Sequence, residues 1–238
     1  MKEEVFTYSF YSSCYRVDKQ LLMSLEDIFR RYCEDLKLEI SVECSNSMGY
    51  VFESLNELFE TFARKQYRIV KVSLEASYGE KYNRNKVVVT FDNNSNNSKV
   101  LFSLNSNDDY IVLKNKIDDC LKNSKLSYGI LAKIPITSVL LTLIFMSLCI
   151  YTWINNIVFS KSVQYMIYLI YFVGWILSIF LPIMNVWKRQ LFPCVEFRIG
   201  SNTKIEEKHE KMRNFLLGTV LMGIIIGVVV NIISKFIL

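Results

Sequence analysis

Ile134–Ser160, IPITSVLLTLIFMSLCIYTWINNIVFS, runs for 27 residues without an Asp, Glu, Lys or Arg. Ser162–Trp187 does the same for 26 residues and Asn214–Ser234 for 21. A helix needs roughly 20 apolar residues to cross a bilayer core of about 30 Å. Each stretch reaches that length, so the sequence predicts three transmembrane α-helices at about 134–157, 164–187 and 214–235. Residues 188–213 form the loop between the second and third spans. Ahead of them, residues 1–127 read as a cytosolic α+β domain for sensing or interaction. Residues 128–238 make up the three-helix domain.

Charge supports that division. Of the chain's net +5, residues 1–127 contribute −1 (18 basic, 19 acidic) and residues 128–238 contribute +6 (10 basic, 4 acidic). A head that grips nucleic acid by neutralising phosphates carries its own basic surplus, and this one has none. The surplus instead fits the positive-inside rule. Lys116, Lys122, Lys125 and Lys133 precede the first span. Lys188, Arg189, Arg198, Lys204, Lys208, Lys211 and Arg213 lie between the second and third, and only Lys161 lies between the first and second. The expected location is a bacterial inner (plasma) membrane, multi-pass, with a cytoplasmic N-terminal domain and an external C-terminus. The N-terminus shows no apolar signal segment. Cys14, Cys33, Cys44, Cys120, Cys149 and Cys194 show no C-x-x-C spacing, as expected of reduced thiols rather than disulfides or zinc.

Within the head, Val5–Tyr11 reads as an aromatic-rich strand. Asp18 caps a helix presenting Leu21, Leu22, Leu25, Ile28, Phe29 and Tyr32. Leu38–Val42 is a second strand, and Ser54-Leu-Asn-Glu57 opens a short helix as a capping box. Arg68–Ala76, Lys86–Phe91 and Lys99–Leu104 are three further strands. Ser106 or Asn107 then caps a helix whose buried stripe is Tyr110, Leu113, Ile117 and Leu121. The predicted order is β-α-β-α-β-β-β-α, an antiparallel sheet covered by helices.

No catalytic constellation is visible. The single histidine, His209, has no ligand partners near it in sequence, and there is no phosphate-binding glycine loop or nucleophile elbow. The expectation is a protein that is not an enzyme, with no cofactor and no metal. Asp108-Asp109 and Asp118-Asp119 are paired acids able to bind a cation, against the plainer reading of capping and a solvated face. Lys81, Arg84 and Lys86 on one hairpin are candidates for an anionic ligand, against the plainer reading of a solvated turn.

The run Gly49-Tyr-Val-Phe-Glu-Ser-Leu-Asn-Glu-Leu58, the Asn107-Asp-Asp-Tyr110 helix start and Phe192-Pro-Cys-Val-Glu-Phe-Arg-Ile-Gly200 resemble a family of bacterial multi-pass membrane proteins of uncharacterised function. In architecture, a small cytosolic head on a few helices also resembles Hailong-type anti-phage membrane effectors. That second likeness carries over no ligand residues. It implies an effector that opens the inner membrane in antiviral defence when a nucleotide or nucleic-acid signal changes, or when a partner protein binds the head.

The third stretch carries Thr219, Gly223, Gly227, Asn231 and Lys235 at intervals of four. Gly223-Ile-Ile-Ile-Gly227 lets another helix approach closely, and an amide at Asn231 needs a partner or water. Packing within one chain, packing between chains and lining a pore are three open readings. Ser138, Thr142 and Cys149 form a weaker stripe in the first stretch. Three spans cannot enclose a pore alone, so a channel reading requires a homo-oligomer in a lipid bilayer. The expected function is an oligomeric effector forming a gated ion channel or pore. The alternative is a membrane-anchored tethering module without conductance. Val195, Phe197 and Ile199 alternate as a short strand able to dock on the head, and Thr203–Arg213 reads as a charged helix.

Overall fold

The structure, a computed structural model, describes residues 5–33, 35–79, 85–93, 97–133, 142, 145–147, 149–152, 160–180, 188–223, 226–227 and 230. It divides into two compact units, Met1–Gly129 with Pro193–Leu238, and Ile130–Phe192. The C-terminal segment thus belongs to the same unit as the N-terminal head.

In that larger unit the chain runs β1 (Val5–Tyr11), β2 (Tyr15–Asp18), α1 (Lys19–Tyr32), β3 (Lys37–Cys44), β4 (Gly49–Phe52), α2 (Leu55–Arg64), β5 (Ile69–Tyr78), β6 (Asn85–Asp92), β7 (Asn97–Leu104) and α3 (Asn107–Asn123). Six strands form one sheet in the order β1-β7-β6-β5-β3-β4, with every pair antiparallel. Alternation puts Ile40, Val42, Val72, Leu74, Val87, Val89, Val100 and Phe102 on the buried face. They share one core with Leu22, Leu25 and Phe29 of α1, Leu58 and Phe62 of α2, and Leu113 and Ile117 of α3.

The helix starts follow from side-chain caps. Asp18 accepts from the Leu21 amide at 2.9 Å, Ser54 from Glu57 at 3.3 Å and Ser106 from Asp109 at 3.3 Å. Each cap supplies one of the orphan amides of a first turn with an acceptor. Gly129–Lys133 (α4) and Lys161–Phe180 (α5) follow, then β8 (Val195–Arg198), α6 (Asn202–Asn214) and a π-helical turn, Phe215–Leu221.

β8 returns to the head. It pairs in parallel with β2, in the register Tyr15↔Val195 to Asp18↔Arg198. β2 is also held from its other side, by Arg16 N donating to Ser124 O at 2.8 Å and Leu126 N donating to Cys14 O at 2.9 Å. β2 and β4, each four residues long, are additional to the order expected from sequence. Strands that short leave too little alternation to register as a pattern.

Among the described residues, no helix is long and apolar enough to cross a membrane. This corrects the expectation of three transmembrane helices, and with it the multi-pass inner-membrane location and the channel, pore and membrane-effector reading. α5 is 20 residues long and opens on Lys161, Ser162 and Gln164. The described beginning of the third stretch is the π-helical turn that continues the charged α6. Much of the first stretch, residues 181–187 of the second and residues 231–238 lie outside the described residues. Inside the smaller unit, Phe145 stacks on Tyr171 with ring centroids 4.0 Å apart.

Candidate functional site: a buried ionic network beside a charged cleft

β8 presents Glu196 to the interior, where it is wholly buried. An ionised carboxylate there is tolerated only if its oxygens are saturated with donors. Three groups supply them. Arg198 Nε donates to Oε1 at 2.6 Å. Tyr128 Oη and Arg213 Nη2 donate to Oε2 at 2.9 and 3.0 Å. The Arg213 guanidinium also sits over the Tyr128 ring at 4.4 Å, a cation–π contact. Burial and the neighbouring Glu196 charge push the Tyr128 phenol up, so it stays a donor.

The network fixes α6. Arg198 Nη2 donates to Glu210 Oε2 at 2.5 Å, and that contact holds the Glu210 carboxyl below its ordinary value. The Asn202 side chain accepts from Ile69 N and donates to Ile69 O, both at 3.4 Å, tying the start of α6 to β5. Glu206 is buried between Arg68 at 3.7 Å, Arg213 at 3.9 Å and His209 Nδ1 at 3.6 Å. Burial first, then repulsion from Glu196, pushes Glu206 up to about 7, against the attraction of Arg68, Arg213 and Arg198. His209 is held below its ordinary value by burial and by Arg68, Arg213 and Lys208.

Glu206 gives a testable pH dependence. A carboxyl whose folded value is raised binds its proton more tightly in the folded chain. Its contribution to stability is therefore complete below about 4.5, the ordinary value, and is lost as pH rises through about 7. His209 acts in the opposite sense below its own ordinary value, so the difference between wild type and Glu206→Gln isolates the carboxyl. Chemical denaturation from pH 5 to 8 should show wild type losing on the order of 2–3 kcal/mol relative to Glu206→Gln. Parallel profiles for the two proteins would show that Glu206 is ionised throughout.

Against this network lies a cleft of about 750 Å³, walled by α1, α3, residues 124–128 and the end of α6. Arg16 N bonds Ser124 O, so α1 begins where α3 ends and the two helices run antiparallel along the cleft. The α1 wall is the i, i+4, i+7, i+11 face Gln20, Ser24, Asp27 and Arg31, which is about 16 Å long at 1.5 Å per residue. Arg16, Lys125 and Arg213 lie at one end and Arg31 and Tyr32 at the other, with Lys116, Asp27 and Asp119 also on the walls. Arg213 and Glu210 are committed to the network. Among the described residues, no carboxylate lies within ion-pair distance of Arg16, Arg31, Lys116 or Lys125. Arg16 Nε is buried and has no hydrogen-bond partner among the described residues.

The residues singled out from sequence lie elsewhere. Lys86 pairs with Glu75 at 2.6 Å, and Lys81 and Arg84 lie outside the described residues. Thr219, Gly223 and Gly227 are exposed, and a methyl group at either glycine would meet no atom of another described element within 4 Å. Asn231, Lys235 and Ser138 lie outside the described residues. Thr142 Oγ1 shares a hydrogen bond with Tyr171 Oη at 3.1 Å, and Cys149 is exposed. Asp118 accepts from Tyr11 Oη. No cluster of metal-ligating side chains occurs among the described residues.

Sequence reasoning missed Glu196, Arg213, Tyr128 and Arg16. The one available signal was the pair Glu196 and Arg198 in a strand whose other residues are all apolar. Comparison with protein families, curated proteins and solved structures finds no match to this chain.

Proposed function

We propose that the larger unit is a non-catalytic ligand-binding module that takes a phosphate-bearing small molecule of nucleotide size into the cleft along α1 and α3. The observation that carries this reading is the set of four cations, Arg16, Arg31, Lys116 and Lys125, facing one cleft without a carboxylate in ion-pair distance. A volume of about 750 Å³ falls within the usual range for small-molecule sites. Phosphate oxygens would accept from the guanidinium and ammonium groups. Asp27 and Asp119 would accept from donor groups such as exocyclic amines, and Tyr32 and Tyr128 offer ring surface.

Occupancy has a route outward. Arg213 both lines the cleft and holds Glu196, and the π-helical turn begins two residues later. Turns of that kind recur at functional positions in helices. An anion that draws on Arg213 would loosen its hold on Glu196 and shift the end of α6.

Titration calorimetry on the full chain with ATP, GTP and inorganic phosphate tests this. One nucleotide should bind, and Arg16→Ala with Lys116→Ala should weaken it at least roughly 10-fold, since a hydrogen bond to a charged group contributes about 1.5–3 kcal/mol. Binding of equal strength in the folded double variant would move the site out of the cleft. Heat from none of the three probes would remove the phosphate reading.

A further inference from the structure

We infer that β1 is the seam of a homodimer, two copies joining edge to edge into one continuous antiparallel sheet. Among the described residues, β1 is an edge of the six-stranded sheet, paired only to β7. Natural edges are usually blunted by charge, proline, a bulge or short length. β1 uses none of these. Val5–Tyr11 contains no charged residue and no proline, and its seven-residue register with β7 is unbroken from Val5↔Leu104 to Tyr11↔Ser98. The other edge, β4, is only four residues long, and its neighbour β3 carries a register shift at Glu43/Cys44.

The outer face of β1 is a row of aromatic rings. Phe6 is 65 % exposed, Tyr8 50 % and Phe10 71 %. The rings already contact one another, Phe6 with Tyr8 at 5.4 Å edge-on and Tyr8 with Phe10 at 6.3 Å stacked. That order lowers the entropy lost when a partner arrives.

The row is its own complement. A two-fold axis at Tyr8 sets Tyr8 against its copy, and Phe6 against Phe10 twice. The period of two keeps all six rings on one face. Such an interface is isologous and closes at two copies. The exposed aromatic surface amounts to roughly 350 Å² per copy, about half of what a standard interface uses. Backbone pairing along the strand adds to it, so a micromolar dimer is expected. A base-stacking platform fits less well, because it needs a cationic track beside the rings. Among the described residues, Lys99, opposite Phe10, is the adjacent cation, and Lys86 is paired with Glu75.

Sedimentation velocity of the full chain over about 1–100 µM should show a monomer–dimer equilibrium. Tyr8→Lys sets two like charges on the axis and should shift dissociation at least roughly 30-fold. An equimolar mixture of Tyr8→Lys and Tyr8→Glu should restore the dimer. Val51→Lys on β4, exposed like Tyr8, should leave it unchanged. Phe10→Lys serves as the second seam variant should Tyr8→Lys fold poorly. A wild-type monomer throughout, a dimer insensitive to both seam variants, or no recovery in the mixture would each overturn the inference. So would an oligonucleotide or a peptide from another protein occupying β1 in place of the second copy.

Discussion

Replacing Arg213 with methionine should cost about 3–5 kcal/mol of stability, the usual penalty for stranding a buried charge. Arg213 is 3 % exposed, and its guanidinium meets Glu196 at 3.0 Å, Glu206 at 3.9 Å and the Tyr128 ring at 4.4 Å. Methionine keeps most of the stem and fills similar space, so the loss reports charge rather than a cavity. Glu196 would keep Arg198 and Tyr128 but lose its most buried donor. Part of the loss should return in the pair Glu196→Gln with Arg213→Met, since a neutral amide no longer demands a cation. A double-mutant cycle in urea, read by the shift in midpoint, measures that coupling. A single-variant loss under about 1 kcal/mol would mean that Arg198 and Tyr128 together satisfy Glu196.

The same charged layer separates what the sequence discloses from what it hides. Caps and stripes were legible because they are local. Asp18, Ser54 and Ser106 bond amides three residues away, and Leu113, Ile117 and Leu121 repeat along one helix. The strand at Val195–Arg198 was legible too, from its alternation. Its burial was not, because a Val-Glu-Phe-Arg pattern implies one solvated face, and here α6 covers that face. Glu196 meets Tyr128 and Arg213 across separations of 68 and 17 residues, distances over which one sequence carries no pairing signal. The cleft is hidden for the same reason, since its basic residues come from β2, α1, α3 and the turn after α3. The three uncharged stretches misled in the other direction. Absence of charge is a property of composition, whereas the third stretch opens, among the described residues, as a π-helical continuation of the charged α6.

Gly200→Ala should be the most damaging single methyl addition in the larger unit. Gly200 sits between β8 and α6 at φ +56°, and a Cβ there would lie 2.1 Å from the carbonyl oxygen of Phe62 and 2.7 Å from its carbonyl carbon. Both obstacles are backbone, so no rotamer change relieves them. The left-handed conformation adds roughly 1–2 kcal/mol for a residue with a Cβ, and overpacking against α2 adds about 1–3 kcal/mol. A total of roughly 2–5 kcal/mol is expected. The turn cannot swing away to avoid the clash, because β8 before it pairs with β2 and Asn202 after it is bound to Ile69. Relief must come from α2 moving, which would disturb Phe62 in the core. Gly49→Ala is the control, since a methyl there meets nothing within 4 Å, and it should change stability by less than about 1 kcal/mol. Thermal denaturation of the two variants side by side decides the matter. Equal midpoints would show that α2 and the β8–α6 turn part freely, and the docking of the C-terminal segment on the head would then rest on the β2–β8 pairing, the Asn202–Ile69 bonds and the ionic network.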